Sequence, residues 1–310
     1  MAFDVIAVHG PGAEDVVVGL AGPDEGAVFT GTADGRIHRV SHDGARVETV
    51  ADTAGRPLGL EWLPDGRLLV CDARRGLLAV DLRSGGVEVL ATQAGGRRMV
   101  FCNNAAVGSD GSVWFSDSSA VHGIDAWKAD LVELTRTGRL VRRTPDGTVA
   151  VVMDGLAFAN GVALAVDESW VAVAETATRT ISRQWLTGPL AGTRDLFAAD
   201  LPGYPDNIAR GSDGLLWVTV ASPRDPLVER LQTGPLWLRR GVTRLPDAVQ
   251  PAPKRTIRVQ AYDDSGALVR DISLDRPEDR ARYHVVTGVR EHDGRIWMGS
   301  LNEPAIAVYS

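Results

Sequence analysis

Four short segments place oxygen-bearing side chains directly ahead of apolar runs: Glu14-Asp15 in GPGAEDVVV, Asn103-Asn104 in FCNNAAV, Asn160 in LAFANGVAL and Asp206-Asn207 in GYPDNIARG. Asn and Asp are depleted from strands, and a buried amide must find partners, so their place at the start of strands asks for a purpose. Carboxylate and amide oxygens, with no histidine or thiol among them, are the donor set of a hard cation. Calcium takes six to eight such oxygens at about 2.3–2.6 Å, whereas softer metals favour nitrogen and sulfur. Any one of these residues alone is an ordinary loop residue. Their equivalence is what raises the expectation of a metal site.

That equivalence follows from a repeat. An acidic turn followed by an apolar run occurs six times: TADGRIHRV (Thr32–Val40), LPDGRLLVCD (Leu63–Asp72), GSDGSVWFSD (Gly108–Asp117), AVDESWVAVAE (Ala165–Glu175), GSDGLLWVTV (Gly211–Val220) and EHDGRIWMGS (Glu291–Ser300). Asp-Gly between two apolar runs signals a hairpin, because Gly supplies positive φ without steric cost. Six units across the chain give roughly 52 residues each, the size of a four-stranded propeller blade. Helical periodicity is scarce. The expected fold is therefore all-β, a six-bladed β-propeller of four-stranded blades forming one domain over 1–310. Two stacked β-domains are the alternative, but no linker separates them. In a propeller the innermost strand of each blade lines a central channel, so the polar residues at the strand starts would gather on a shared axis.

The widest gap between turns, Gly214 to Asp293, contains the helical, Pro-bounded insertion 223–254. Leu227, Val228, Leu231, Leu236, Trp237 and Leu238 are interleaved there with Arg230, Arg239 and Arg240. Following the Asp206 blade, it is expected to be a lid shaping an apolar pocket at the channel mouth. A helix packed on a blade edge, or a surface for membrane or self-association, are the competing readings.

Composition narrows the partners. A net charge of -7 gives no basic face for nucleic acid or an anionic membrane. Arginine replaces lysine almost throughout, leaving Lys128 and Lys254, which reads as compositional bias. Cys71 and Cys102 lie in apolar runs without zinc or redox spacing and read as buried thiols. Neither a signal peptide nor a membrane-length apolar stretch is present, so a cytoplasmic location is expected. G-x-S-x-G and HExxH motifs are absent.

The wording and order of FCNNAAVGSDGSVWFSDSS, GLAFANGVALAVDESWVAVAET, GPLAGTRDLFAADLPGYPDNIARGSDGLLWV and VREHDGRIWMGSLN resemble the strictosidine-synthase-like proteins, from about Gly10 to the end. That group is similar to the paraoxonases, gluconolactonases and diisopropyl-fluorophosphatase-type phosphotriesterases, six-bladed propellers whose hydrolases hold calcium on the axis through Glu, Asn, Asn and Asp. Carried over residue by residue, the resemblance implies calcium ligands at Glu14, Asn103, Asn160 and Asp206. Asn104 falls where relatives carry an acid supporting the ligands, and Asn207 falls beside the metal Asp. The glutamate that true strictosidine synthases use falls at Thr287, which cannot act as acid or base at neutral pH.

Three functions follow as expectations. The first is a calcium-dependent hydrolase of lactones or esters, with phosphotriesters as possible side substrates. In it Asp206 acts as nucleophile or water-orienting carboxylate, and His284, in ARYHVVTG, as base or substrate contact. The second is a bond-forming enzyme on the same scaffold, against which Thr287 counts. The third is a non-catalytic binding propeller locked by its ion. His122 is placed near the mouth as a surface residue, and His9, His38, His42 and His292 receive no role.

Overall fold

Most of the acidic turns are built by their own aspartate; in the sixth, Glu291 accepts the N–H of Gly294 instead. Asp65, Asp110 and Asp213 accept the backbone N–H two residues on, from Arg67, Ser112 and Leu215. The glycines that follow, Gly66, Gly111 and Gly214, take positive φ. In the fourth unit Asp167 does the same for Ser169, while Glu168 adopts a φ of 55° where the others have glycine.

The computed structural model describes residues 2–246, 249–274 and 276–310. It is a six-bladed β-propeller of four-stranded antiparallel blades. Blade 1 runs Val16–Val18, Val28–Gly31, Arg36–Val40 and Val47–Asp52. The inner strands of blades 2 to 6 are Pro57–Trp62, Cys102–Val107, Ala159–Leu164, Gly203–Arg210 and Val286–His292. Blade 6 takes its fourth strand from the start of the chain, Phe3–Ala7, which pairs antiparallel with Ala305–Tyr309 and closes the ring. Five of the six acidic turns join the first and second strands of blades 2 to 6. The TADG turn instead joins the second and third strands of blade 1. There the first connection is a 3-10 turn at Gly22–Asp24. The repeat count is right, but its first member is displaced by one hairpin.

Apolar side chains on strand faces pack between neighbouring blades. Val17, Phe29, Leu60, Leu68 and Val70 join blades 1 and 2, and Trp170, Phe197, Ile208 and Leu216 join blades 4 and 5. Full burial of each such side chain contributes about 1.5–3 kcal/mol. Cys71 and Cys102 are buried free thiols in the packing between blades 2 and 3.

The inner strands share one irregularity. The pairing of first to second strand shifts register at Leu58-Gly59, Asn103-Asn104, Asn160-Gly161, Asp206-Asn207 and Thr287-Gly288. Such a bulge bends the strand and re-aims its side chains. In blade 1, Glu14-Asp15 occupies the same place just before the strand begins.

Helices supply the cover. Helix α1 (Trp127–Glu133) lies between the second and third strands of blade 3. Helices α2 (Pro226–Thr233) and α3 (Leu236–Thr243) lie in the corresponding connection of blade 5, and α4 (Pro277–Arg282) links blades 5 and 6. Asp225 caps α2 by accepting the N–H groups of Leu227 and Val228. No described helix is long and apolar enough to cross a membrane.

Candidate functional site

Five bulges and the equivalent Glu14-Asp15 step of blade 1 build the site in tiers. Their first residues, Glu14, Leu58, Asn103, Asn160, Asp206 and Thr287, all line one cavity at the channel mouth. Their second residues, Asp15, Gly59, Asn104, Gly161, Asn207 and Gly288, alternate polar side chain with glycine. The alternation has a steric cause. A Cβ on Gly59 would sit 2.6 Å from Asn104 Cα, one on Gly161 2.6 Å from Asn207 Cα, and one on Gly288 2.6 Å from Asp15 Cα. Each polar blade therefore leans on a glycine blade. Asp15 accepts the N–H of Leu60, and Asn104 accepts that of Val162, so both occupy amides just beyond a neighbouring glycine. Asn104 also donates to Asp15, at 3.4 Å, and Asn207 donates to Glu14 Oε1, at 3.3 Å.

The structure brings Glu14, Asn103, Asn160 and Asp206 into the same cavity floor. Asn103 Nδ2 donates to Ser118 Oγ at 2.9 Å, and Asn160 Nδ2 donates to Thr176 Oγ1 at 3.2 Å. Each hydroxyl directly follows the acid that ends the blade's second strand. Those acids fix the loop below: Asp117 accepts the N–H of Phe101, and Glu175 that of Ala157. With their amino ends anchored, Asn103 Oδ1 and Asn160 Oδ1 are buried without a hydrogen-bond partner, and so is Glu14 Oε2. Unpartnered buried oxygens are costly, and three facing one cavity form an acceptor set that a hard cation would satisfy.

The electrostatics agree. Burial, and then the Asp206 and Asp15 carboxylates, push Glu14 well above the ordinary carboxyl range, against the pull of Arg56 and the Asn207 hydrogen bond. Burial raises Asp206 to about 7 despite a hydrogen bond from Asn160, and Asp15 to about 6 despite Arg290. Three carboxylates thus crowd together, with Arg56 and Arg290 offsetting only part of the cost of burial. Among the described residues no cluster of three His, Cys, Asp or Glu has ligand geometry, as a site built half from asparagine amides would not.

The walls are apolar. The cavity holds about 850 Å³ of empty space including its open mouth. Phe101, Phe158, Tyr204 and Val285, each two residues before a floor residue, form the wall above it. Phe158 and Val285 hold φ of 63° and 52°, a strained backbone for a β-branched residue such as Val285. Trp127, Lys128, Leu131 and Val132 of α1 and Val228 of α2 complete the enclosure.

The inserted segment covers the cavity only in part. Val228 lines it and Leu231 packs with Leu58, Phe101 and Phe158. Leu227, Leu236, Trp237 and Leu238 are instead exposed, Trp237 by 75%. Helix α1, absent from the expectations drawn from sequence, is the other half of the cover; its apolar Trp127 and Leu131, one turn apart, are the signal for it. His284 is not among the lining residues: its Nδ1 lies 2.6 Å from Glu303 Oε1, beside the lining Val285. His122 Nε2 lies 3.4 Å from Glu133 on the rim. Thr287 is in the floor, and its hydroxyl donates to the Glu14 carbonyl at 2.8 Å.

Residues 23–232 match the family described as the SMP-30/Gluconolactonase/LRE-like region. The chain is 36% identical over 265 residues to the protein STRICTOSIDINE SYNTHASE-LIKE 10 of Arabidopsis thaliana, covering 82% of this chain and 69% of that one. Among solved structures, a gluconolactonase from Xanthomonas campestris superposes with a TM-score of 0.70 at 17% identity, covering 99% of this chain and 88% of the other. A calcium-binding protein, regucalcin, from Agrobacterium tumefaciens superposes with a TM-score of 0.65 at 12% identity, covering 98% and 94%. At these identities the two structures speak for the fold.

Proposed function

The chain belongs to the SMP-30/gluconolactonase/LRE-like family, and from that premise we propose that it is a calcium-dependent hydrolase of apolar lactones or esters. The observation that carries the proposal is the set of unpartnered oxygens, Glu14 Oε2, Asn103 Oδ1 and Asn160 Oδ1, at the floor of an apolar cavity that Asp206 also lines.

Glu14, Asn103, Asn160 and Asp206 would hold the ion. Bound there, calcium would act as a Lewis acid that polarises a carbonyl or phosphoryl oxygen. The chain's own residues do the rest. Ser118 and Thr176 keep the asparagine carbonyls turned inward, so the donor set needs no rearrangement when a substrate arrives. Phe101, Phe158, Tyr204 and Leu131 surround the acyl portion and exclude bulk water. Asp206 would orient the attacking water and take its proton on a carboxylate oxygen. That proton then passes to the leaving alkoxide as the acyl C–O bond breaks. His284, paired with Glu303, is assigned no proton transfer.

The bond-forming alternative lacks its carboxylate, because the Thr287 hydroxyl is committed to the Glu14 carbonyl. The test is a panel of γ- and δ-lactones, aryl esters and an aryl phosphotriester, assayed with calcium and after chelation. We expect turnover of a lactone or ester that chelation abolishes and calcium restores. Turnover untouched by chelation, or none across the panel, would overturn the proposal.

A further inference from the structure

The two lysines of this arginine-rich chain both stand at the cavity. Lys128 lines it, and Lys254 follows the lining Pro253. They differ in partners. Lys254 Nζ lies 4.0 Å from Asp225 Oδ2. Lys128 has no acidic partner among the described residues, although its helix carries two acids. Asp130 is buried and accepts from Thr135, and Glu133 is engaged by His122, Arg240 and Thr243.

Lys128 also belongs to the inward stripe of α1. Trp127 with Leu131, and Lys128 with Val132, are pairs four residues apart, and all four line the cavity. A lysine in the lining beside Trp127, Leu131 and Val132 is a poor choice for a pocket that binds only apolar matter. A second polar group points the same way. Tyr204 is 6% exposed and lines the cavity, and its hydroxyl, beside the Asp225 N–H, donates to no acceptor among the described residues. Tyr204 and Leu131 pack in one cluster, which ties this wall to α1. The upper cavity thus offers one unpaired cation and one unused O–H donor, while its own carboxylate, Asp225, is engaged by the α2 amides and Lys254 and the others are in the floor.

We propose that Lys128 and Tyr204 form an anion subsite, and that the substrate is an amphipathic ester or lactone carrying a carboxylate remote from its reacting carbonyl. Resting on the hydrolase reading, this assignment adds a polarity to the cavity: carbonyl down on the floor, apolar body between the walls, carboxylate up at α1. Lys128 is then a specificity residue that acts through binding.

The test compares two esters of equal length, mono-4-nitrophenyl adipate and 4-nitrophenyl hexanoate, on wild type, Lys128→Met, Lys128→Arg and Tyr204→Phe. The methionine keeps the apolar stem and removes the charge. We expect wild type to favour the adipate about tenfold in kcat/KM through a lower KM, as one partly buried charge pair contributes. The preference should fall to about unity in Lys128→Met, return in Lys128→Arg, and shrink in Tyr204→Phe. Equal KM values for the two esters in wild type, or a preference that survives Lys128→Met, would overturn the assignment. A binding arm separates it from the hydrolase reading. The inert anilide of adipic acid and its methyl ester are titrated calorimetrically into wild type and Lys128→Met. If no ester is hydrolysed but the free acid binds tenfold tighter only when Lys128 is present, the subsite stands and the hydrolase reading falls. If both anilides bind alike to both proteins, the subsite falls whatever the enzyme hydrolyses.

Discussion

At the scale of single residues, the floor and its support hold carboxylates that burial raises above their ordinary range. Folding therefore binds protons at Asp206 and Asp15, whose carboxyls are raised to about 7 and about 6. The sign follows from linkage: without calcium these groups favour folding below their ordinary range near 4, and that support is lost as pH rises through 6 and 7. Calcium held there would need deprotonated carboxylates, so its binding would release protons and strengthen with pH. The gain in Tm on adding calcium should thus be larger at pH 8 than at pH 5.5, measured by thermal unfolding in matched buffers. An equal or inverted gain would mean that Glu14 and Asp206 are not ligands. Asn103, Asn160, Glu14 and Asp206 were legible because an oxygen donor at the start of a strand is unusual chemistry. Ser118 and Thr176 were not, although the D-S and E-T pairs ending FSDS and AVAET were in view. A hydroxyl after an acid has no visible purpose until the bulge swings the asparagine amide onto it.

At the scale of elements, the bulge is the device that puts two consecutive side chains of one inner strand to use. Its requirement for glycine in alternate blades is the sharpest stability prediction. A Cβ on Gly161 would lie 2.1 Å from the Ile208 N of the next blade, a backbone atom that cannot move alone. Gly161→Ala should lower stability by more than about 3 kcal/mol in denaturant unfolding. Gly241→Ala, in α3 with nothing within 4 Å of the new Cβ, should raise it by about 0.5–1 kcal/mol. Similar effects at the two positions would contradict the close approach of the blades. Five of the hairpins were readable from Asp-Gly, including the one displaced in blade 1, and the fourth from Asp167-Glu168 in the same place. The lid was readable as a Pro-bounded helical insertion, but not which face it buries. Leu236, Trp237 and Leu238 are as apolar as Val228, and only the packing of α3 on α1 decides that they point outward.

At the scale of the whole molecule, the ring joins its own ends, with Phe3–Ala7 completing blade 6. The four oxygen donors come from blades 1, 3, 4 and 5, so an ion held by them would tie together parts of the chain up to 192 positions apart in sequence (Glu14 to Asp206). Repeat number and turn chemistry made this architecture legible before any coordinates, because a propeller writes its blade count into its hairpins. The substrate was less legible, since the cavity is assembled from wall residues two places ahead of each floor residue and from α1. The central claim is that one calcium ion sits on the axis, held by the four floor residues. The most direct measurement is calorimetric calcium titration of the chelated protein at pH 8, wild type beside Asn160→Ala. The account predicts one ion per chain in wild type, with about 2.7 kcal/mol of added stability at a hundredfold excess over Kd, and binding weakened at least tenfold in the variant. No heat of binding in wild type, or identical isotherms for the two proteins, would contradict it.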